Sequence, residues 1–227
     1  MKKQERYMIY PIVKLNLPPL PKDVEDMLFE IANNKSIFRR SHDTLLAKKE
    51  LAQRRGLSRI VAEVDSVQKL YGFDYIPTHD ATRLQPPLTD KMRGLVPVSL
   101  PEETDFVVQV INTENTFIHD DGSRKVSFYY MMVDDPTAVT KFYKSNSKPI
   151  LETTYHPDEV EEFYSLHMDK GCWYMFDHQS IHAVNNVTKL RVGFLVDLSR
   201  VYTYEEDRKS TRLNSSHTDI SRMPSSA

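Results

Sequence analysis

The sequence predicts a mainly β fold with helices at its N-terminal end, its strands forming an antiparallel sandwich or barrel. Two observations carry this. From about Asp105 the chain breaks into short runs rich in Val, Ile, Phe and Tyr: FVVQVINTENTFI, RKVSFYYMMV, TKFYK, ILETTYH, GCWYMF and LRVGFLVDL. Turn formers such as DDG, DDP, NSKP, DKG and NN separate many of them. No helical crossover lies between these runs, so they do not read as parallel βαβ units.

Ahead of them the periodicity is helical. After LPPLP, residues Val24, Met27, Leu28 and Ile31 recur at helical spacing, and Asn33-Asn34 ends the first helix. A second helix is expected over DTLLAKKELAQRRG, with Asp43 as its cap and Gly56 as its stop. A third runs from about Leu57 to Tyr71, with Ile60, Val64 and Val67 on one face and Gly72 after it. PTHDATRLQPPLTDK and VPVSLPEE, rich in Pro and without period, read as loops over the sheet. HPDEVEEFYSLH is ambiguous, because Pro157 and Asp158 can open a short helical turn. The resulting organisation is a helical and loop region over 1–104 packing on a barrel, a β core over 105–207, and a tail over 208–227.

That tail, RKSTRLNSSHTDISRMPSSA, has no apolar period and resembles translated adapter DNA, so it is expected to be non-native and disordered. The chain has 227 residues, 30 Lys and Arg against 32 Asp and Glu. Four of the basic and one of the acidic residues fall in the tail, leaving 26 against 31 in the body, a net charge of −5. An acidic body argues against a nucleic-acid partner, and Arg39-Arg40, Lys48-Lys49 and Arg54-Arg55 read as a solvated face. An apolar content of 40% and a charged content of 27% are those of a soluble globular chain with a real core. No stretch approaches the roughly 20 apolar residues of a membrane span, and the first 21 residues lack the apolar core and small-residue cleavage site of a signal peptide. One cysteine, Cys172, allows no intrachain disulfide, so a cytoplasmic setting is expected. Cys172 and Trp173 read as core.

Chemistry concentrates in three pieces: His119-x-Asp121, His182 and Arg191. The chain holds three H-x-D pairs. Asp158 of His156-x-Asp158 reads as a cap, and His167-x-Asp169 runs into a Lys-Gly turn only 15 residues before His182. His119-x-Asp121 is taken to end the alternating strand FVVQVINTENTFI, where residues i and i+2 point the same way and can grip one metal ion. His182 follows 63 residues after His119, room for several strands. His178, four residues earlier, is a rival for the second imidazole. Two imidazoles and one carboxylate form the facial triad of non-haem Fe(II) oxygenases, with the remaining positions open. Arg191 opens the alternating strand RVGFLVDL and shares a face with Gly193 and Leu195. Its planar fork suits a carboxylate.

On these motifs, residues of roughly 105–200 resemble the Fe(II)/2-oxoglutarate-dependent dioxygenase superfamily, and within it the small prolyl-hydroxylase-like and aspartyl/asparaginyl-hydroxylase-like members. The resemblance implies a double-stranded β-helix, or jelly-roll. It implies His119, Asp121 and His182 as iron ligands and Arg191 as the anchor of the 5-carboxylate of 2-oxoglutarate. It also implies O2 as co-substrate, stimulation by ascorbate, and hydroxylation of a protein side chain or small molecule with release of succinate and CO2. Many relatives carry a Ser or Thr near the arginine; here the i+2 position is Gly193, and Tyr129, Tyr130 or Tyr143 is expected to supply the missing donor, Tyr130 being the residue chosen. Asn185 and Asn186 follow the distal histidine, either as a turn or, Asn186 especially, as co-substrate contacts. Arg124 and Lys125 either meet an anionic substrate or are solvated. The rival readings are a cupin-like metalloenzyme that does not use 2-oxoglutarate and a non-enzymatic jelly-roll binding module. Oligomeric state is left open.

Overall fold

Two antiparallel sheets pack face to face in the computed structural model, which describes residues 10–34, 49–71, 79–96, 98–122, 124–151 and 153–198. The elements in chain order are β1 (Ile12–Leu15), α1 (Lys22–Asn33), α2 (49–54), α3 (Ser58–Tyr71), β2 (His79–Arg83), α4 (Leu88–Leu95), β3 (Asp105–Ile111), β4 (Val126–Met131), β5 (Val139–Ser145), β6 (Val160–Leu166), β7 (Trp173–Asp177), β8 (Ile181–Asn185) and β9 (Arg191–Asp197). A short 3₁₀ turn, Pro157–Glu159, precedes β6.

The large sheet has the order β1-β7-β4-β9-β3-β2 and the small one β6-β5-β8. His119 extends the small sheet by an isolated bridge to His182 of β8. From β3 onward the chain therefore passes repeatedly between the two sheets: large, small at His119, large, small twice, large, small, large. Long antiparallel excursions of this kind make a jelly-roll, the double-stranded β-helix.

The helices form where the apolar spacing requires. α1 starts at Lys22 after Pro21, buries Val24 and Leu28, and is capped by Asn34. At the end of α2, Gly56 takes φ +67; its N–H bonds Gln53 O and that of Leu57 bonds Ala52 O, the glycine-closed helix end that the sequence suggested. The Asp43 end of that helix lies outside the described residues, as do Arg39-Arg40, Lys48 and the tail. α3 buries Val64 and Val67 against Leu151, with Phe117 and Ile150 alongside. Among the described residues no helix is long and apolar enough to cross a membrane.

Three readings need correction. Residues 77–91 are not all loop, for His79–Arg83 form β2 and Leu88–Leu95 form α4. HDATR has no apolar alternation; it becomes a strand by lending backbone groups to the edge of β3, from His79↔Ile111 to Arg83↔Val107. With β1 and β2 both in the large sheet, the first 104 residues contribute strands as well as a covering layer. FVVQVINTENTFI is not one strand: β3 stops at Ile111, and Asn-Thr-Glu-Asn carries the chain across to the small sheet before His119. ILETTYH forms only isolated bridges at Leu151 and Thr154.

Alternation along the large sheet separates two apolar layers. Phe106, Val108, Phe128, Tyr130, Trp173, Val192 and Phe194 face α1 and α4. Val107, Tyr129, Met131, Tyr174, Phe176 and Leu195 face Phe142 of the small sheet. The candidate site residues lie on this second, inner face.

Candidate metal centre

His119 and His182 are direct cross-strand partners. The N–H of His119 bonds the carbonyl of His182 at 3.0 Å and the reverse bond is 2.7 Å, so both side chains leave on the same face. Their ring centroids are 4.6 Å apart. Asp121, two residues after His119, joins them. One donor atom from each of the three lies within 4.8 Å of the others, an arrangement that could hold a metal ion.

Both imidazoles are oriented by backbone. His119 Nδ1 donates to Phe117 O and His182 Nδ1 to Ser180 O, each at 2.8 Å. The proton on Nδ1 leaves Nε2 with a lone pair facing Asp121, at 3.7 Å for His119 and 3.9 Å for His182. Burial, with the neighbouring His119, pushes the His182 pKa down to about 3 and keeps its ring neutral, the ligating form. For Asp121, burial opposes ionisation, but the charge and hydrogen bond of His178, with His182 and His119 beyond, hold the carboxyl well below the usual range.

His178 does not compete as a ligand. Its Nδ1 is bonded to Asp121 Oδ2 and its Nε2 lies 2.7 Å from Ser127 Oγ, so neither nitrogen is open. Ser127, His178 and Asp121 follow the order of a nucleophilic triad, yet Ser127 is fully buried and beyond the reach of a substrate.

Arg191 lies 3% exposed at the start of β9 and lines the same cavity as His119, Asp121 and His182. Its Nη2 donates to Thr140 Oγ1 at 3.0 Å and contacts Met168 Sδ at 3.0 Å; its Nε has no partner. No carboxylate among the described residues pairs with it. The guanidinium is thus buried with one N–H unsatisfied and only a hydroxyl and a thioether for company, a costly arrangement for a cation. The cavity wall is completed by Gln109, Ile111, Thr116, Tyr129, Phe176 and Val184.

Tyr129 occupies the space that Gly193 leaves empty. A Cβ at Gly193 would meet the Tyr129 hydroxyl at 2.0 Å and its Cζ at 2.2 Å. The hydroxyl thus stands where a side chain at 193 would begin, on the face that Arg191 shares.

Tyr130, the donor chosen from sequence, is on the wrong face. Its neighbours in β4 alternate, and Tyr130 points toward α1, donating to Glu25 Oε1 and accepting from Leu20 N. Asn186 is also displaced from the site: it is exposed, takes φ +58, a turn conformation that Asn tolerates, and its N–H bonds Asn115 Oδ1 at 3.1 Å. Tyr143 does not line the cavity. Arg124 is half-buried; it holds Asp197 through Nε at 3.1 Å and lies 3.7 Å from Asp121. Of the other H-x-D pairs, His156, not Asp158, caps the 3₁₀ turn, and Asp169 pairs with Lys14 at 2.7 Å. Arg54 pairs with Glu50 and Lys49 with Asp65. Thr140, Gln109 and Ser127 escaped the sequence reading. Only their register on the inner face marks them out.

No protein-family model and no curated protein matches the chain. Among solved structures it is similar to procruciferin, the 11S globulin from Brassica napus, at 6% identity and a TM-score of 0.31, over 53% of this chain and 25% of that one. It is similar to a Pseudomonas putida prolyl-4-hydroxylase at 12% identity and a TM-score of 0.30, over 77% of this chain and 97% of that one. A third is the vicilin from Solanum melongena, at 12% identity and a TM-score of 0.32, over 63% and 38%. The chain thus spans a quarter of the globulin's length and under two fifths of the vicilin's.

Proposed function

We propose that this chain is an Fe(II)- and 2-oxoglutarate-dependent oxygenase that hydroxylates an unactivated C–H of a protein side chain or small molecule. The observation that carries the reading is the buried, anion-less Arg191 in one cavity with a His/Asp/His group. A metal-binding jelly-roll that needed no anionic co-substrate would have no use for that cation, which is costly to bury unpaired.

The donor set fits Fe(II): two imidazoles presenting Nε2 and one ionised carboxylate, clustered with the cavity beside them. Bound Fe(II) and 2-oxoglutarate supply the oxidising chemistry, in which R–H, O2 and 2-oxoglutarate become R–OH, succinate and CO2. The protein's own residues do the rest. His119, Asp121 and His182 would hold the metal from one side. Arg191 would take the far carboxylate of the co-substrate by charge-assisted hydrogen bonds, its guanidinium steadied by Thr140. Tyr129 would add a hydroxyl from the opposite strand. Phe142 and Phe176, both buried, flank His182 and keep water from that side of it.

The two tyrosines separate by mutation. Tyr129→Phe is expected to weaken 2-oxoglutarate binding about tenfold, the loss of one hydrogen bond to a charged group, with little change in stability. Tyr130→Phe is expected to leave binding unchanged and cost about 1–3 kcal/mol, because buried Glu25 and the Leu20 N–H lose a partner. Calorimetric titration and urea denaturation of both variants check this.

The proposed function is tested by succinate release from 2-oxoglutarate under air with Fe(II) and ascorbate. Slow release is expected without added substrate, dependent on iron and absent in His182→Ala. Release that persists unchanged in that variant would count against this site.

A further inference from the structure

We propose that His178, braced by Ser127, is a positioning residue that fixes the orientation of Asp121 toward its metal. The proposal rests on the metal reading of His119, Asp121 and His182 given above, and assigns a role to two buried polar residues that this reading leaves unused.

His178 is locked from every side. Its backbone N–H donates to Lys125 O at 2.9 Å, and its carbonyl accepts from Asp121 N at 2.9 Å. Its ring stacks on Phe176 with centroids 4.6 Å apart and planes 30° apart. Its Nδ1 donates to Asp121 Oδ2, and its Nε2 lies 2.7 Å from the Ser127 hydroxyl. Ser127 is fully buried on the inner face of β4, so no solvent competes for its bond to His178.

The consequence falls on the two oxygens of Asp121. Oδ2 is taken by His178, with Arg124 3.7 Å away. Oδ1 faces His119 Nε2 at 3.7 Å, and Oδ2 lies 3.9 Å from His182 Nε2. A carboxylate free to turn would carry these oxygens away from the two imidazoles. Here such a turn must break the hydrogen bond to His178, whose ring is itself buried and held. His178 and Ser127 therefore orient Asp121 before any metal arrives.

Cobalt(II) titration of the full chain tests this, with thermal melting followed by circular dichroism as the check on folding. His178→Ala is expected to lower Co(II) affinity about 10–100-fold and to alter the visible ligand-field spectrum, since Asp121 is then free to turn. His178→Asn sets an amide N–H where Nδ1 was, and is expected to restore the wild-type spectrum and most of the affinity. Ser127→Ala removes only the brace and is expected to weaken binding by less than His178→Ala does. Should His178→Ala fail to fold, Ser127→Ala decides. Folded variants with wild-type affinity and an unchanged spectrum would overturn the positioning role alone. A wild-type chain that binds no Co(II) would overturn the metal reading and this proposal with it.

Discussion

Alanine at His119 or His182 is expected to abolish metal binding and iron-dependent turnover while the fold persists. Each replacement removes one of only three donors, so the loss in metal affinity should exceed the roughly 10–100-fold that follows from deleting a group behind a ligand. The fold is expected to survive because the contacts between the two segments are backbone bonds. His119 N–H to His182 O and the reverse do not depend on either imidazole. Asp121→Ala is a poorer probe, since it also leaves Nδ1 of His178 without an acceptor and takes away one of the two carboxylates beside Arg124. Metal titration and thermal melting of the two histidine variants check the expectation. A variant that binds metal as the wild type does would remove that histidine from the site.

The second large effect has opposite signs on function and stability. Arg191→Met is expected to eliminate 2-oxoglutarate binding and to raise the stability of the ligand-free chain by about 1–3 kcal/mol, a few degrees in melting temperature. The guanidinium is almost wholly buried, its Nε is orphaned, and its fork contacts only Thr140 and Met168. Taking that charge out of water is a cost of folding that only a bound anion offsets. Methionine nearly matches the length and fills the slot without the charge. A site kept at the expense of stability is what a binding function would maintain. If Arg191→Met were less stable than wild type and still bound 2-oxoglutarate, the cation would be structural and the co-substrate assignment would fail.

How much of this was legible in the sequence differs between parts of the site. The metal group was readable because its determinants are local. An i, i+2 pair needs only an extended segment, and a second histidine followed by an alternating strand needs only a return of the chain. Arg191, Gly193 and Leu195 were likewise readable as one face of β9. The donor opposite Gly193 was not, because it depends on the register between β4 and β9. Tyr129 opposes Leu195 and Tyr130 opposes Phe194, and a shift of one residue exchanges the faces. Sequence offers two adjacent tyrosines and no means of choosing. Thr140 was hidden for a similar reason, since it reaches Arg191 across the gap between two sheets. The strand at His79–Arg83 was hidden because pairing to an edge, not side-chain pattern, makes it. His178 illustrates the converse: it was visible as a candidate ligand, and only the third dimension reveals that Asp121 and Ser127 already occupy both its nitrogens.

The most direct test of the central claim is an anaerobic calorimetric titration of 2-oxoglutarate into the Fe(II)-loaded chain, run beside Arg191→Met. One molecule bound per chain, with binding lost in the variant although it still takes up iron, is the expected result. An iron-loaded wild-type chain that takes up no 2-oxoglutarate would contradict the account and leave a metal-binding jelly-roll of the cupin kind.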